Sequence, residues 1–174
     1  MTKVLWFTGF SGSGKTTIAT KLKDRLEKQG KKVRIFDGDD VRNTLHRHLG
    51  FTPQDIMENN RLIAELCLKH SSDYDYILVP IISPFKESRK MARELLKGGF
   101  IEVHVNCHLK KCIERDVKGH YKKALAGEIK NFIGIAKENP YEPPENPEII
   151  LDTFRETPSE SVERLIKFLN SKSS

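Results

Sequence analysis

The chain reads as an α/β protein with a five-stranded parallel sheet flanked by helices. Three observations carry this. Short apolar runs alternate with stretches of helical periodicity along most of the sequence. The apolar runs lack polar alternation, as strands covered on both faces do. A glycine-rich stretch also sits at the first strand-to-helix junction. With 174 residues, one domain spanning 1–174 is expected.

Each element has its own signal. Residues 4–7 (Val-Leu-Trp-Phe) form a short apolar strand closed by Thr8-Gly9. A helix is expected over 16–29, where Ile18, Leu22 and Leu26 share a face and Gly30 supplies the stop. The second strand, 33–36, ends at Asp37-Gly38-Asp39. Thr52-Pro53 then offers a cap and a first-turn proline for a helix over 52–69, with Ile63, Leu66 and Cys67 on its buried face. Residues 76–82 are the most apolar run and read as a central strand, although Pro80 removes a ladder donor there. After Ser83-Pro84 a basic helix runs to about 97, where Gly98-Gly99 stops it. A fourth strand (100–105), a short helix (109–116) and a fifth strand (149–151) follow, and Thr157-Pro158-Ser159-Glu160 opens the last helix with a capping box. Residues 117–147 carry glycines, prolines and lysines without strand signals. Tyr121, Phe132 and Tyr141 argue against a disordered insertion, so the segment is read as a mobile lid.

Composition narrows the function. Hydrophobic residues make up 37% and charged ones 31%, which fits a globular protein rather than a disordered or membrane one. No apolar run approaches the roughly 20 residues of a membrane span. The apolar N-terminal stretch meets a glycine-rich turn instead of a small-residue cleavage site, so no ordinary signal peptide is expected. Cys67, Cys107 and Cys112 include no CxxC pair, which disfavours a disulfide framework or a zinc ribbon and points to the cytoplasm. A net charge of +6 calls for anionic partners: nucleic acid, a membrane surface or phosphorylated small molecules.

Gly9-Phe10-Ser11-Gly12-Ser13-Gly14-Lys15-Thr16 decides among them. It matches the phosphate-binding pattern G-x-x-x-x-G-K-[ST] and lies after a strand and before a helix, as that mechanism requires. Backbone N–H groups of such a loop turn inward around phosphate oxygens, and the helix N-terminus adds positive charge. Lys15 is placed to reach the β- and γ-phosphates of ATP and Thr16 to coordinate Mg²⁺. The ATP-binding set is Gly9, Ser11, Gly12, Ser13, Gly14, Lys15, Thr16 and Thr17, in a P-loop nucleoside-triphosphate hydrolase fold. No Asn-Lys-x-Asp motif of regulatory GTPases occurs, and motor or AAA-type ATPases are longer. A small-molecule kinase fits best.

The acceptor side begins at Asp37-Gly38-Asp39-Asp40-Val41-Arg42. In an open parallel sheet the carboxyl ends of strands face the ligand crevice, which aims these carboxylates at the phosphates. A carboxylate there can orient and deprotonate an attacking hydroxyl or hold a metal-bound water. Without the neighbouring P-loop, Asp-Gly-Asp would read as a plain turn and cap.

Taken in order, these motifs resemble the adenylylsulfate kinase family. The matching residues are Gly9 to Thr16, Asp37 to Arg42, Leu49-Gly50-Phe51, Glu58-Asn59 with Arg61, Ile82-Ser83-Pro84-Phe85 and Arg89. Further along they are Phe100-Ile101-Glu102-Val103, Cys112 with Arg115-Asp116, Lys118-Gly119-His120-Tyr121, Gly127 to Phe132 and Pro140-Tyr141-Glu142. The resemblance implies ATP-dependent phosphorylation of the ribose 3′-hydroxyl of adenylylsulfate, giving 3′-phosphoadenylylsulfate. It implies Lys15, Asp39, Asp37 and Ser83 as catalytic residues, Asp39 being the base or hydroxyl-orienting group. Arg115 is implied at the ATP base. Arg42, Phe51, Asn59, Ile82, Ser83, Lys118 and Phe132 join Asp39 on the acceptor, with Phe51 and Phe132 clamping its base. Ser83 matches a serine that the family can phosphorylate and is read as lining the site. A homodimer is the assembly the resemblance suggests.

Departures cluster on the acceptor side. Ile56 and Leu62 stand where the family pattern has arginines, and Asp40 where it has asparagine. Phe132-Ile133-Gly134-Ile135-Ala136 replaces Phe-Thr-Gly-Ile-Asp, and two extra residues precede Pro140. Losing arginine contacts alters recognition of an anion, so a related, less anionic acceptor such as cytidine diphosphoramidate, used in capsule polysaccharide modification, is an alternative. A non-catalytic nucleotide- or nucleic-acid-binding module is the alternative of another class. It is disfavoured because the basic residues gather beside the P-loop and in the lid, with no nucleic-acid-recognition motif. Neither nucleic acid nor membrane is expected as a partner.

Overall fold

The computed structural model describes residues 1–172. Its sheet has five parallel strands: β1 (Lys3–Thr8), β2 (Val33–Ile35), β3 (Tyr76–Pro80), β4 (Phe100–Asn106) and β5 (Ile149–Asp152), in the order β2-β3-β1-β4-β5. β1 is central. The chain builds β2 and β3 to one side of it and then crosses to β4 and β5 on the other, so the order reverses at β1. An open α/β sheet forms its ligand crevice at such a point.

The helices are α1 (Lys15–Glu27), α2 (Gly38–Thr44), α3 (Pro53–Lys69), α4 (Lys86–Leu96), α5 (Leu109–Arg115), α6 (His120–Leu125) and α7 (Pro158–Ser171). A 3₁₀ turn at Lys97–Gly99 leads into β4. Side-chain alternation along the strands divides the core. Leu5 and Phe7 of β1 face Ile18 and Leu22 of α1 and Val162 and Leu165 of α7. Val4 and Trp6 face the other way, with Ile63 and Cys67 of α3 and Ala92 of α4. Both long-helix starts carry the expected capping devices. Thr52 and Asp55 cap α3 reciprocally, as Thr157 and Glu160 cap α7.

Pro80 fits a central strand because of where it falls. The Leu78 carbonyl accepts from Phe36 N–H, so Leu78, and Pro80 two residues on, turn their polar edge toward β2. β2 pairs no further than Ile35 with Leu78, and the missing donor therefore lies past its neighbour's end.

Two elements were not expected. α2 follows β2 in a stretch without a helical period: Asp37 caps it by accepting from Asp39 N–H. It buries only Val41, too little for a periodic signal. Within 117–147, α6 forms one and a half turns, and its Tyr121 packs with Cys107 and Cys112 in a third apolar cluster that Phe10, Phe132 and Ile135 border.

Candidate active site

The loops that follow the strands enclose a cavity of about 600 Å³. It is continuous from the P-loop to Phe51 and Phe132. No helix among the described residues is long and apolar enough to cross a membrane.

On the P-loop side, two glycines are required by geometry. A Cβ on Gly9 would lie 2.5 Å from the Val105 carbonyl oxygen of β4. Gly14, at φ +104°, turns the chain into α1 in the left-handed region. α1 has no side-chain cap and no acid in its first turn, which leaves its N–H groups for an anion. The Lys15 ammonium donates to the carbonyls of Gly9 (2.9 Å) and Phe10 (2.7 Å). It is buried, and burial pulls its pKa down to about 8.

The Thr16 hydroxyl donates to Asp37 Oδ2 at 2.8 Å, while Asp37 Oδ1 accepts from Asp39 N–H at 3.0 Å. Two hard oxygen donors thus stand side by side at the start of α1. No group of three or more His, Cys, Asp or Glu residues able to hold a metal occurs among the described residues. This set fits Mg²⁺, which takes one or two protein oxygens and completes its shell with phosphate and water.

Asp39 meets Lys118 in an ion pair that joins α2 to the segment after α5. Arg42 donates to the Gly50 carbonyl at 2.7 Å, and its guanidinium carbon lies 4.4 Å from the centre of the half-exposed Phe51 ring. Asn59 is buried, its Oδ1 2.9 Å from His46 Nδ1. Phe132 stands edge-on to Tyr121, ring centres 5.1 Å apart, and the Tyr121 hydroxyl donates to the Ser11 carbonyl. Arg115 donates to the carbonyls of Gly12 (3.3 Å) and Thr153 (2.8 Å), bracing the P-loop against the end of β5.

Ser83 is more constrained than a free nucleophile. Its hydroxyl accepts from Trp6 Nε1 (3.0 Å) and donates to Asn60 Oδ1 (2.6 Å). The residue is 2% exposed, with φ +46°. Its carbonyl accepts from Arg89, whose guanidinium is also paired with Glu102.

Every expected site residue except Gly9 lines the one cavity; Gly9 stands behind it, holding the Lys15 ammonium. Ile56 is buried in the cavity wall, whereas Asp40 and Leu62 are not among its lining residues. Lining residues missed from sequence include Asn60, Ile133, Thr153, Glu156 and Pro158. Thr153 follows the C-terminus of β5, and the rule that strand ends face the crevice would have found it. Asn60 carries no such signal, because its role arises from Ser83, 23 residues away.

The family model described as Adenylylsulphate kinase matches residues 1–152. An adenylyl-sulfate kinase of Clostridium kluyveri is 46% identical over 169 residues, covering 97% of this chain and 84% of that protein. One from Staphylococcus epidermidis is 46% identical over 167 residues, covering 95% and 83%. Among solved structures, the Mycobacterium tuberculosis APS kinase CysC in complex with AMPPNP and APS superposes with a TM-score of 0.92 at 37% identity, covering 97% of this chain and 98% of that one.

Proposed function

The chain belongs to the adenylylsulfate kinase family, and from that premise we propose how its residues divide the work. The reaction is phosphoryl transfer from ATP to adenylylsulfate, giving 3′-phosphoadenylylsulfate. One observation carries the assignment of residues: a single cavity joins the P-loop to the aromatic pair Phe51 and Phe132, with Asp39 among the residues lining it. That enzymatic role replaces the non-catalytic binding module which net charge alone allowed.

The P-loop amides and Lys15 hold the triphosphate, and Thr17 and Arg115 extend that subsite toward the ATP base. Thr16, with Asp37 beside it, would hold Mg²⁺, which supplies charge neutralisation on the phosphates when bound. Asp39 faces the acceptor hydroxyl as base or orienting group. Arg42 and Asn59 hold the acceptor's phosphate and ribose, Phe51 and Phe132 stack on its base, and Ile82 and Ser83 form the wall. Segment 117–147 acts as the lid, with Lys118 bringing positive charge over both nucleotides and excluding water. Catalysis is then positioning and electrostatics, as phosphoryl transfer generally requires. Three buried, unpaired cysteines and an ATP-consuming reaction fit the cytoplasm. A homodimer is the proposed assembly, which sedimentation equilibrium reads directly.

Ile56 gives one reason to examine acceptor range. It is 1% exposed and apolar at a wall position where the family pattern has arginine. The test is an ATP-consumption assay with adenylylsulfate and cytidine diphosphoramidate in parallel, products being identified by mass. A product heavier than adenylylsulfate by one phosphoryl group is expected. ATP turnover with neither acceptor overturns the assignment, and equal turnover of both widens it.

A further inference from the structure

Asn139 lies outside the cavity, yet it holds the backbone of Phe51 and of Asn131, the residue before Phe132. The side chain is fully buried. Both hydrogens of its amide are used: Nδ2 donates to the Phe51 carbonyl and to the Asn131 carbonyl, each at 2.8 Å. Phe51 stands 88 residues away, on the loop between α2 and α3. Asn131 immediately precedes Phe132 and has φ +58°, a left-handed turn that asparagine tolerates and that aims the next residue.

The backbone of Asn139 closes a small loop. Its carbonyl accepts from Gly134 N–H at 2.8 Å, and its own N–H donates to the Ala136 carbonyl at 3.1 Å. That loop rests on the ATP side as well, since a Cβ on Gly134 would come within 2.8 Å of the Phe10 ring. Asn139 Oδ1, by contrast, has no hydrogen-bond partner. An idle buried acceptor is destabilising, yet an apolar residue would remove it only by leaving the carbonyls of Phe51 and Asn131 without this donor. What an apolar residue could not supply is a two-hydrogen clasp between two distant carbonyls.

We propose that Asn139 is a positioning residue of the acceptor subsite, its amide fixing Phe51 and Phe132 relative to each other. This rests on the reading of those two rings as the walls that stack on the acceptor base. Two flat faces grip a base only at a set separation and tilt. Losing the clasp therefore weakens acceptor binding, while the ATP cradle, braced by Arg115 against the end of β5, stays in place.

The experiment is steady-state kinetics on the full chain, varying adenylylsulfate and ATP separately, with thermal unfolding alongside. Wild-type turnover of adenylylsulfate is read first; its absence overturns the functional reading before any variant is compared. Asn139→Ala is expected to raise the KM for adenylylsulfate about tenfold, with the KM for ATP changed less than about twofold. Val162→Ala, in the α7 core away from the site, is the stability control and should lower Tm with both KM values unchanged. Should Asn139→Ala fail to fold, Asn139→Leu keeps the bulk, removes both donors without adding a buried charge, and should show the same KM split. An unchanged adenylylsulfate KM, or both KM values rising together, overturns the proposal.

Discussion

Lys118 reaches across 79 residues of sequence to pair with the carboxylate of Asp39, joining the proposed lid to the first turn of α2. Both side chains are about half exposed, so the pair contributes little to stability. Its consequence is electrostatic: the carboxylate proposed to receive the hydroxyl proton and the cation proposed to close over the phosphates share one place at the cavity. Asp39→Asn keeps the shape and removes the base. It is expected to lower kcat by about 10²–10⁴-fold with Tm and the ATP KM nearly unchanged. Steady-state kinetics with thermal unfolding checks this, and an undiminished kcat removes Asp39 from the chemistry.

Lys15 gives a pH dependence. Burial lowers its folded pKa to about 8, so the ammonium loses its proton as pH rises through that value. A neutral amine cannot pair with a triphosphate, and ATP-analogue affinity should fall between about pH 7 and 9. Stability moves the other way. Between about 8 and the ordinary lysine value of 10.5 the unfolded chain holds the proton that the folded chain has released, so this group makes the free protein more stable as pH rises. Calorimetric titration of AMPPNP at the two pH values, on wild type and Lys15→Ala, tests it; the variant should bind weakly at both.

Arg89 is the anchor beneath the proposed acceptor wall. It is 3% exposed and donates to Glu102 (2.8 Å) and to the carbonyls of Ser83 (2.7 Å) and Glu142 (2.6 Å). Arg89→Met leaves Glu102 buried, with Arg93 at 3.4 Å as its remaining cationic partner. The expected loss is about 3–5 kcal/mol, a fall in Tm of roughly 10 °C. A shift below about 3 °C would show that Arg93 compensates.

Gly134 sits at φ +88° against the Phe10 ring. A methyl group at that position meets both backbone strain and aromatic carbon. Gly134→Ala should cost about 1–3 kcal/mol and weaken ATP binding through the displaced P-loop. Thermal unfolding with and without AMPPNP separates the two effects.

Local signals carried much of this protein. The strands at 33–36 and 149–151 were legible as short apolar runs, and the helices opening at Thr52 and Thr157 as caps. The P-loop was legible because phosphate binding needs glycines and a lysine at set spacing in one contiguous stretch. α2 was not, since a seven-residue helix with one buried side chain has no period to detect. Asn60 and Asn139 were not either, because each acts on partners 23 and 88 residues distant.

The sequence by itself determined the fold class, the P-loop motif and the family, all of which rest on periodicity or on motifs short enough to be local. Tertiary structure alone decided that Ser83 is tied between Trp6 and Asn60, that Lys118 pairs with Asp39, and that Asn139 bonds the carbonyls of both Phe51 and Asn131. Strand order brings those residues together, and hydrogen bonds act only over a few ångströms, so no pattern along the chain could announce them.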